Sequence, residues 1–194
     1  MNRPSSQYEY MSLDDFEELL PDKPADEKWE LIGGRVVRMM VGARWEHHLI
    51  AQNLAFGLRR RLYEKGAGCL VFLETFYMKK KSIESATLPD VMVRCGPMEL
   101  GATSADDPTV LAEVMSDGSK ARDRFEKWAV YQKLPSLKHY VLVERDRAHI
   151  ETFDRIGEEW VGVRILDGLE ATLDLPAIGV SIPLAEIYQN VIAP

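Results

Sequence analysis

One stripe of apolar residues dominates the chain. Ile50, Leu54, Leu58 and Leu62 recur at every fourth position, which predicts a helix over residues 45–65, with Gly66 and Gly68 ending it. A shorter helix over 13–20 follows Ser12, a side chain suited to capping it, and Pro21 closes it. Residues 30–40 (ELIGGRVVRMM) read as two strands around Gly33-Gly34. Three apolar runs then predict strands: 69–78, 88–94 and 109–115. The last two carry few surface positions and suit central strands covered on both faces. Helical spacing returns over 120–134, with Phe125, Trp128 and Ala129 as its apolar positions and Pro135 just past its end. Segments 138–144, 148–154 and 159–166 predict a meander, and Pro183 opens a last helix over 183–190. This order predicts an α/β fold: a mixed central sheet flanked by helices, with an N-terminal β-hairpin and a C-terminal β-meander.

Composition changes this picture little. The 194 residues are 46% hydrophobic and 28% charged, with no repeat or composition break, so a single domain over 1–194 is expected. The net charge of −7 argues against coating nucleic acid by bulk charge, though not against a local basic surface. Cys69 and Cys95 lie far apart in sequence and form no metal-type pattern, which is read as excluding a disulfide scaffold and as fitting a reducing compartment. The first 20 residues lack an apolar signal core and no apolar run is long enough to span a membrane, so a soluble, cytoplasmic protein is expected.

The chemistry lies in carboxylates that interrupt apolar runs. Asp90 sits in LPDVMV and Glu113 in VLAEVM. A carboxylate inside a buried strand is costly unless it is paired, protonated or bound to a cation. Two on neighbouring strands would share a proton or hold a divalent metal; alternatively each caps a loop or pairs with an arginine. Asp123, Lys127 and Tyr131 follow at spacings of four, on one helix face. That face is either an ordinary surface ion pair or a group that sets Lys127 over the acidic strands.

Pro89-Asp90, Glu113-Val114-Met115-Ser116 and the D-x-x-x-K-x-x-x-Y series Asp123, Lys127, Tyr131 resemble the PD-(D/E)XK nuclease superfamily. More narrowly, the chain resembles the Uma-two-type restriction endonucleases. The likeness extends to MSLDDFEEL, WELIGGRVV, the His48 region and LKHYVLVERDRAHIETF, nearly the whole chain. The resemblance implies a restriction-endonuclease-like core and a metal-dependent DNA endonuclease. Asp90 and Glu113, with the main-chain carbonyl of Val114, would bind Mg²⁺ or Mn²⁺. Met115 stands where the superfamily often has its lysine, and the resembling family displaces that lysine onto the next helix, here Lys127. The loop Asp117-Gly118-Ser119 departs from the Pro-Ser-Thr-like loop often found there.

Glu30 is a further carboxylate candidate, or else a hairpin surface charge. Glu74 and His48 are weaker candidates, explained as well by an edge-facing residue and a structural helix-start histidine. Lys120, Arg122 and Arg124, with Tyr131, are the expected substrate contacts; the Arg59–Arg61 and Lys79–Lys81 runs read as solvated faces. DNA is the expected partner, and cutting both strands implies a homodimer. Two other readings stand beside the nuclease: an inactive relative that binds nucleic acid or protein, and an interaction protein whose acidic pair serves stability.

Overall fold

The computed structural model describes residues 10–116 and 118–193. Asp117, in the loop singled out above, lies outside them. Helix α1 (Leu13–Leu19) is capped by Ser12, whose side chain accepts from the Asp15 amide. Strands β1 (Glu27–Ile32) and β2 (Arg35–Met40) form the expected hairpin. Gly33 and Gly34 both take positive φ there (57° and 82°), which a two-residue turn matched to the strand twist requires. Helix α2 (Trp45–Glu64) buries the predicted stripe of Ile50, Leu54, Leu58 and Leu62.

The run 69–78 is not one strand. It breaks into β3 (Cys69–Leu73) and β4 (Tyr77–Lys80), which belong to different sheets. Residues 88–94 are strand only from Val91: β5 (Ser85–Thr87) ends before them, β6 (Val91–Cys95) begins after Asp90, and Asp90 therefore sits at a strand entrance rather than inside a strand. Proline cannot donate to a ladder, so the break falls at Pro89. There follow β7 (Ser104–Ala105), β8 (Val110–Met115), the helical segment Arg122–Lys127 continued by α3 (Trp128–Tyr131), and the meander β9 (His139–Glu144), β10 (His149–Ile156) and β11 (Glu159–Asp167). The hairpin β12 (Thr172–Leu175) and β13 (Val180–Pro183), unanticipated from sequence, precedes a short α4 (Leu184–Ile187).

A six-stranded sheet, ordered β11-β10-β9-β8-β6-β3, forms the centre. Its one parallel pairing, β8 with β9, makes it mixed. The N-terminal hairpin is not an appendage, because it belongs to a second, five-stranded sheet ordered β2-β1-β5-β4-β7. One face of the central sheet packs on α2 through Val91, Val93, Ala112 and Val114. The opposite face packs Met92, Leu111 and Met115 against Val130 and Tyr131. Strand alternation thus divides β8 cleanly: even positions face α2, odd positions face the helical segment Arg122–Tyr131. No helix among the described residues is long and apolar enough to cross a membrane.

The cysteines correct the sequence reading. Cys69 and Cys95 are register partners across β3 and β6 and are joined by a disulfide. Their separation of 26 residues is bridged by strand pairing, which spacing alone does not reveal. The inference of a reducing compartment from these residues therefore falls.

Candidate active site

Antiparallel pairing of β6 with β8 sets Val91 opposite Ala112. Continued by one residue, that register brings Asp90 opposite Glu113. Directly opposed residues share a face, so both carboxylates project toward the helical segment Arg122–Tyr131. Both are nearly inaccessible, Asp90 at 6% and Glu113 at 2% exposure. Asp90 Oδ2 accepts from the Val114 amide at 2.7 Å, and Asp90 Oδ1 lies 3.2 Å from His47 Nε2.

Over this pair lies the helical segment Arg122–Lys127, wound as a π-helix. Such turns are rare and recur at functional sites. Its polarity is inverted: Asp123 and Lys127 are buried, while the apolar Phe125 is 66% exposed. Lys127 Nζ lies 2.8 Å from Glu113 Oε1, 3.3 Å from Glu30 Oε1 and 3.6 Å from Asp123 Oδ1. Tyr140, on β9, donates to the main-chain carbonyl of Asp123 and anchors the turn. Met115, two residues after Glu113, is fully buried among apolar side chains. The ammonium reaches Glu113 from the following helix.

Glu30 is not a hairpin surface charge. It is fully buried, its Oε1 accepting from the Leu88 amide at 2.7 Å, so the five-stranded sheet contributes a third carboxylate. Tyr131 is also fully buried, and its hydroxyl donates to Thr87 Oγ1 at 2.8 Å and reaches Glu113 Oε1 at 3.3 Å. This corrects the expectation that Tyr131 touches substrate: it positions Glu113 from below. Of the three basic candidates, only Arg122 lines the cleft. Lys120 pairs with Glu144 at 2.9 Å, and Arg124 grips Glu151 through two contacts of 2.5 and 2.7 Å. Their partners sit on β9 and β10, far away in sequence. His48 pairs with Glu74 at 3.1 Å, and its neighbour His47, which sequence did not single out, meets Asp90.

These groups floor a cleft of about 940 Å³. It is lined by Lys23, Lys28, Arg44, Arg122, Lys127 and Arg145 together with Glu27, Glu30, Glu74, Asp90, Glu113 and Asp123. Positive charge thus gathers locally despite the acidic total. Burial pushes the Glu113 carboxyl up to about 8; Asp123, Asp90 and Glu30 add to the rise, and Lys127 opposes it. Burial by itself would also raise Asp90, but the His47 hydrogen bond and the His47, Lys28 and Lys127 charges hold it below the usual carboxylate range. Burial acts to lower Lys127, yet Glu113, Glu30 and Asp123 keep it well above the ordinary lysine value. One firmly charged ammonium thus faces more carboxylates than it can neutralise.

A divalent cation suits this donor set. The oxygens are hard, two carboxylates oppose each other, and Glu30 Oε2 and Asp123 Oδ1 are buried without a hydrogen-bond partner. Both protein bonds to Glu113 go to Oε1, leaving Oε2 for a ligand arriving from the cleft.

The raised Glu113 carboxyl has a consequence for stability. A carboxyl raised on folding favours the native state fully below its unfolded value, near 4.5, and that contribution is lost as pH rises toward about 8. His47, also raised, has the same sign above 6.5, whereas Asp90, lowered, acts only at more acidic pH. Melting temperatures of the parent should therefore fall from pH 5 to 8 more steeply than those of Glu113→Gln. Parallel curves would contradict the buried, protonated Glu113.

A model of the Uma2 family, described as "Putative restriction endonuclease", matches residues 13–185. Two proteins of Synechocystis sp. are similar to the chain. Uncharacterized protein sll1609 is 26% identical over 153 residues, covering 75% of this chain and 82% of its own. Uncharacterized protein slr1290 is 27% identical over 167 residues, covering 84% and 85%. A crystal structure described as "a putative nuclease belonging to DUF820", from Anabaena variabilis, matches with a TM-score of 0.70 over 94% of this chain and 99% of that one. At 14% identity this likeness carries the fold alone.

Proposed function

The chain belongs to the Uma2 restriction endonuclease family, and from that premise we propose that it is a metal-dependent endonuclease hydrolysing phosphodiester bonds of DNA. The observation that carries the reading is the convergence of Asp90, Glu113 and Lys127 in one cleft that basic residues also line. Asp90, Glu113 and the Val114 carbonyl would hold Mg²⁺ or Mn²⁺. Such a cation, when bound, lowers the pKa of a water and offsets charge on phosphate oxygens. Tyr131 and Lys127 fix Glu113 Oε1, which keeps its carboxylate turned toward Asp90. Lys127, which lines the cleft, supplies a permanent positive charge for a phosphate that becomes more negative as it is attacked. Glu30 holds Lys127 in place. Cleavage of both strands calls for two such sites, so the proposal includes a homodimer.

The test is conversion of supercoiled plasmid to the nicked form. Cleavage with Mg²⁺ or Mn²⁺ and none in EDTA is expected. Metal-independent binding without cleavage would instead favour a nucleic-acid-binding module.

Binding offers a separate check. Six basic side chains line the cleft, among them the buried Lys127, and log affinity should fall with log salt with a slope of about −2 to −4. Measured by anisotropy in EDTA, Arg122→Ala should reduce the slope by roughly 1, whereas Arg124→Ala, already gripped by Glu151, should leave it unchanged. The reverse order would place the DNA outside the cleft.

A further inference from the structure

Asp90 uses its two oxygens on different partners. Oδ2 is taken by the Val114 amide, beside Glu113, while Oδ1 faces His47 Nε2 at 3.2 Å. Beyond His47 lies Glu74, from the turn that separates β3 and β4. His47, Glu74 and Asp90 each offer a ligand atom, and all three atoms lie within 4.8 Å of one another. All three residues line the cleft. Three separate elements meet here: the first turn of α2, the β3–β4 turn and the entrance to β6. His48 Nδ1 holds Glu74 Oε1 at 3.1 Å and so fixes the direction of that carboxylate. A histidine that served only to hydrogen-bond Asp90 would not need a second carboxylate brought alongside it.

We propose that His47, Glu74 and Asp90 form a second cation position, sharing Asp90 with the Asp90–Glu113 position, and that it takes a first-row transition dication in preference to Mg²⁺. The proposal rests on the metal-dependent reading above and deepens it to a two-cation site. The preference follows from ligand type. Imidazole nitrogen suits transition dications, whereas Mg²⁺ seeks oxygen ligands and gives up its waters reluctantly. The first position, built from oxygens alone, accepts either ion. Two cations bridged by one carboxylate lie about 3.5–4 Å apart in enzymes that displace groups at phosphorus, so the division of labour suits the proposed substrate.

The test uses the full chain, with Mn²⁺ and Mg²⁺ as the only probes. Calorimetric titration should show two Mn²⁺ bound to the parent protein but one Mg²⁺ over the same concentration range. Paramagnetic resonance of the Mn²⁺-saturated parent should show a coupled pair. His47→Ala and Glu74→Gln should each leave one Mn²⁺, remove the coupled signal and abolish the preference for Mn²⁺. The second site should weaken by more than the roughly 10–100-fold expected from losing an outer-shell partner. His47 and Glu74 are partly exposed, so the melting temperature without metal reports whether the variants remain folded. A single Mn²⁺ on the parent that His47→Ala leaves in place, or an unchanged stoichiometry and preference in that variant, would overturn the proposal. Glu113→Gln separates the two ideas. Should it leave metal binding untouched while His47→Ala removes it, the His47 position stands and the Asp90–Glu113 position falls.

Discussion

Lys127→Met is expected to lower the melting temperature by roughly 10 °C, more than other single changes at the site. Its ammonium is buried among Glu113, Glu30 and Asp123 at 2.8, 3.3 and 3.6 Å. Removing one partner of a buried ionic group strands the others, at a cost of about 3–5 kcal/mol. In a chain of this size each kcal/mol shifts the melting temperature by about 2–4 °C. The loss should be partly reversed by a second change. Lys127→Met with Glu30→Gln should melt above Lys127→Met alone, because a carboxylate that faced the ammonium at 3.3 Å becomes a neutral amide. A divalent cation should also restore part of the loss by replacing the missing positive charge. A Lys127→Met protein that melts within a degree or two of the parent would show that the lysine is a surface residue, contrary to its burial.

The second large effect concerns Asp90. A ligand that binds only the native state raises its stability by RT ln(1 + [L]/Kd), about 2.7 kcal/mol at a hundredfold excess over Kd. Mn²⁺ should therefore raise the parent's melting temperature by several degrees. Asp90→Asn should lose most of that rise, because Asp90 is common to both proposed cation positions. The asparagine can still accept from the Val114 amide, so the variant should fold without metal. An undiminished Mn²⁺ response in Asp90→Asn would remove Asp90 from the site.

Much of this arrangement is legible in the sequence, and for a physical reason. A charged side chain within an apolar run is anomalous, since burial without a partner is costly. Asp90 and Glu113 each interrupt such a run, and the structure buries both. Spacing places Asp123 and Lys127 on one face but fits an ordinary surface ion pair equally, and only the family resemblance sets Lys127 at the acidic strands. The rest depends on contacts that sequence separation hides. His47 and His48 are adjacent, and only the docking of α2 against the β6 entrance decides which one meets Asp90. Lys120 and Arg124 read as basic, yet Glu144 and Glu151 pair with them from distant strands. Cys69 and Cys95 meet through β-pairing, as do Leu88 and the Glu30 that accepts from its amide. The run 69–78 looks continuous because its break, Glu74 to Phe76, carries neither Gly nor Pro. The hairpin β12–β13 escaped notice because its four-residue strands flank a turn at Pro176–Ile178 that reads as loop.

The most direct measurement of the account is the nicking rate of supercoiled plasmid by the parent and by Asp90→Asn, purified in parallel and assayed with saturating Mn²⁺. The parent should nick in a metal-dependent reaction, and Asp90→Asn, folded by its melting curve, should be slower by about 10³-fold, equivalent to roughly 4 kcal/mol of lost transition-state stabilisation. Equal rates in the two proteins, or no cleavage by the parent at any metal concentration, would contradict it.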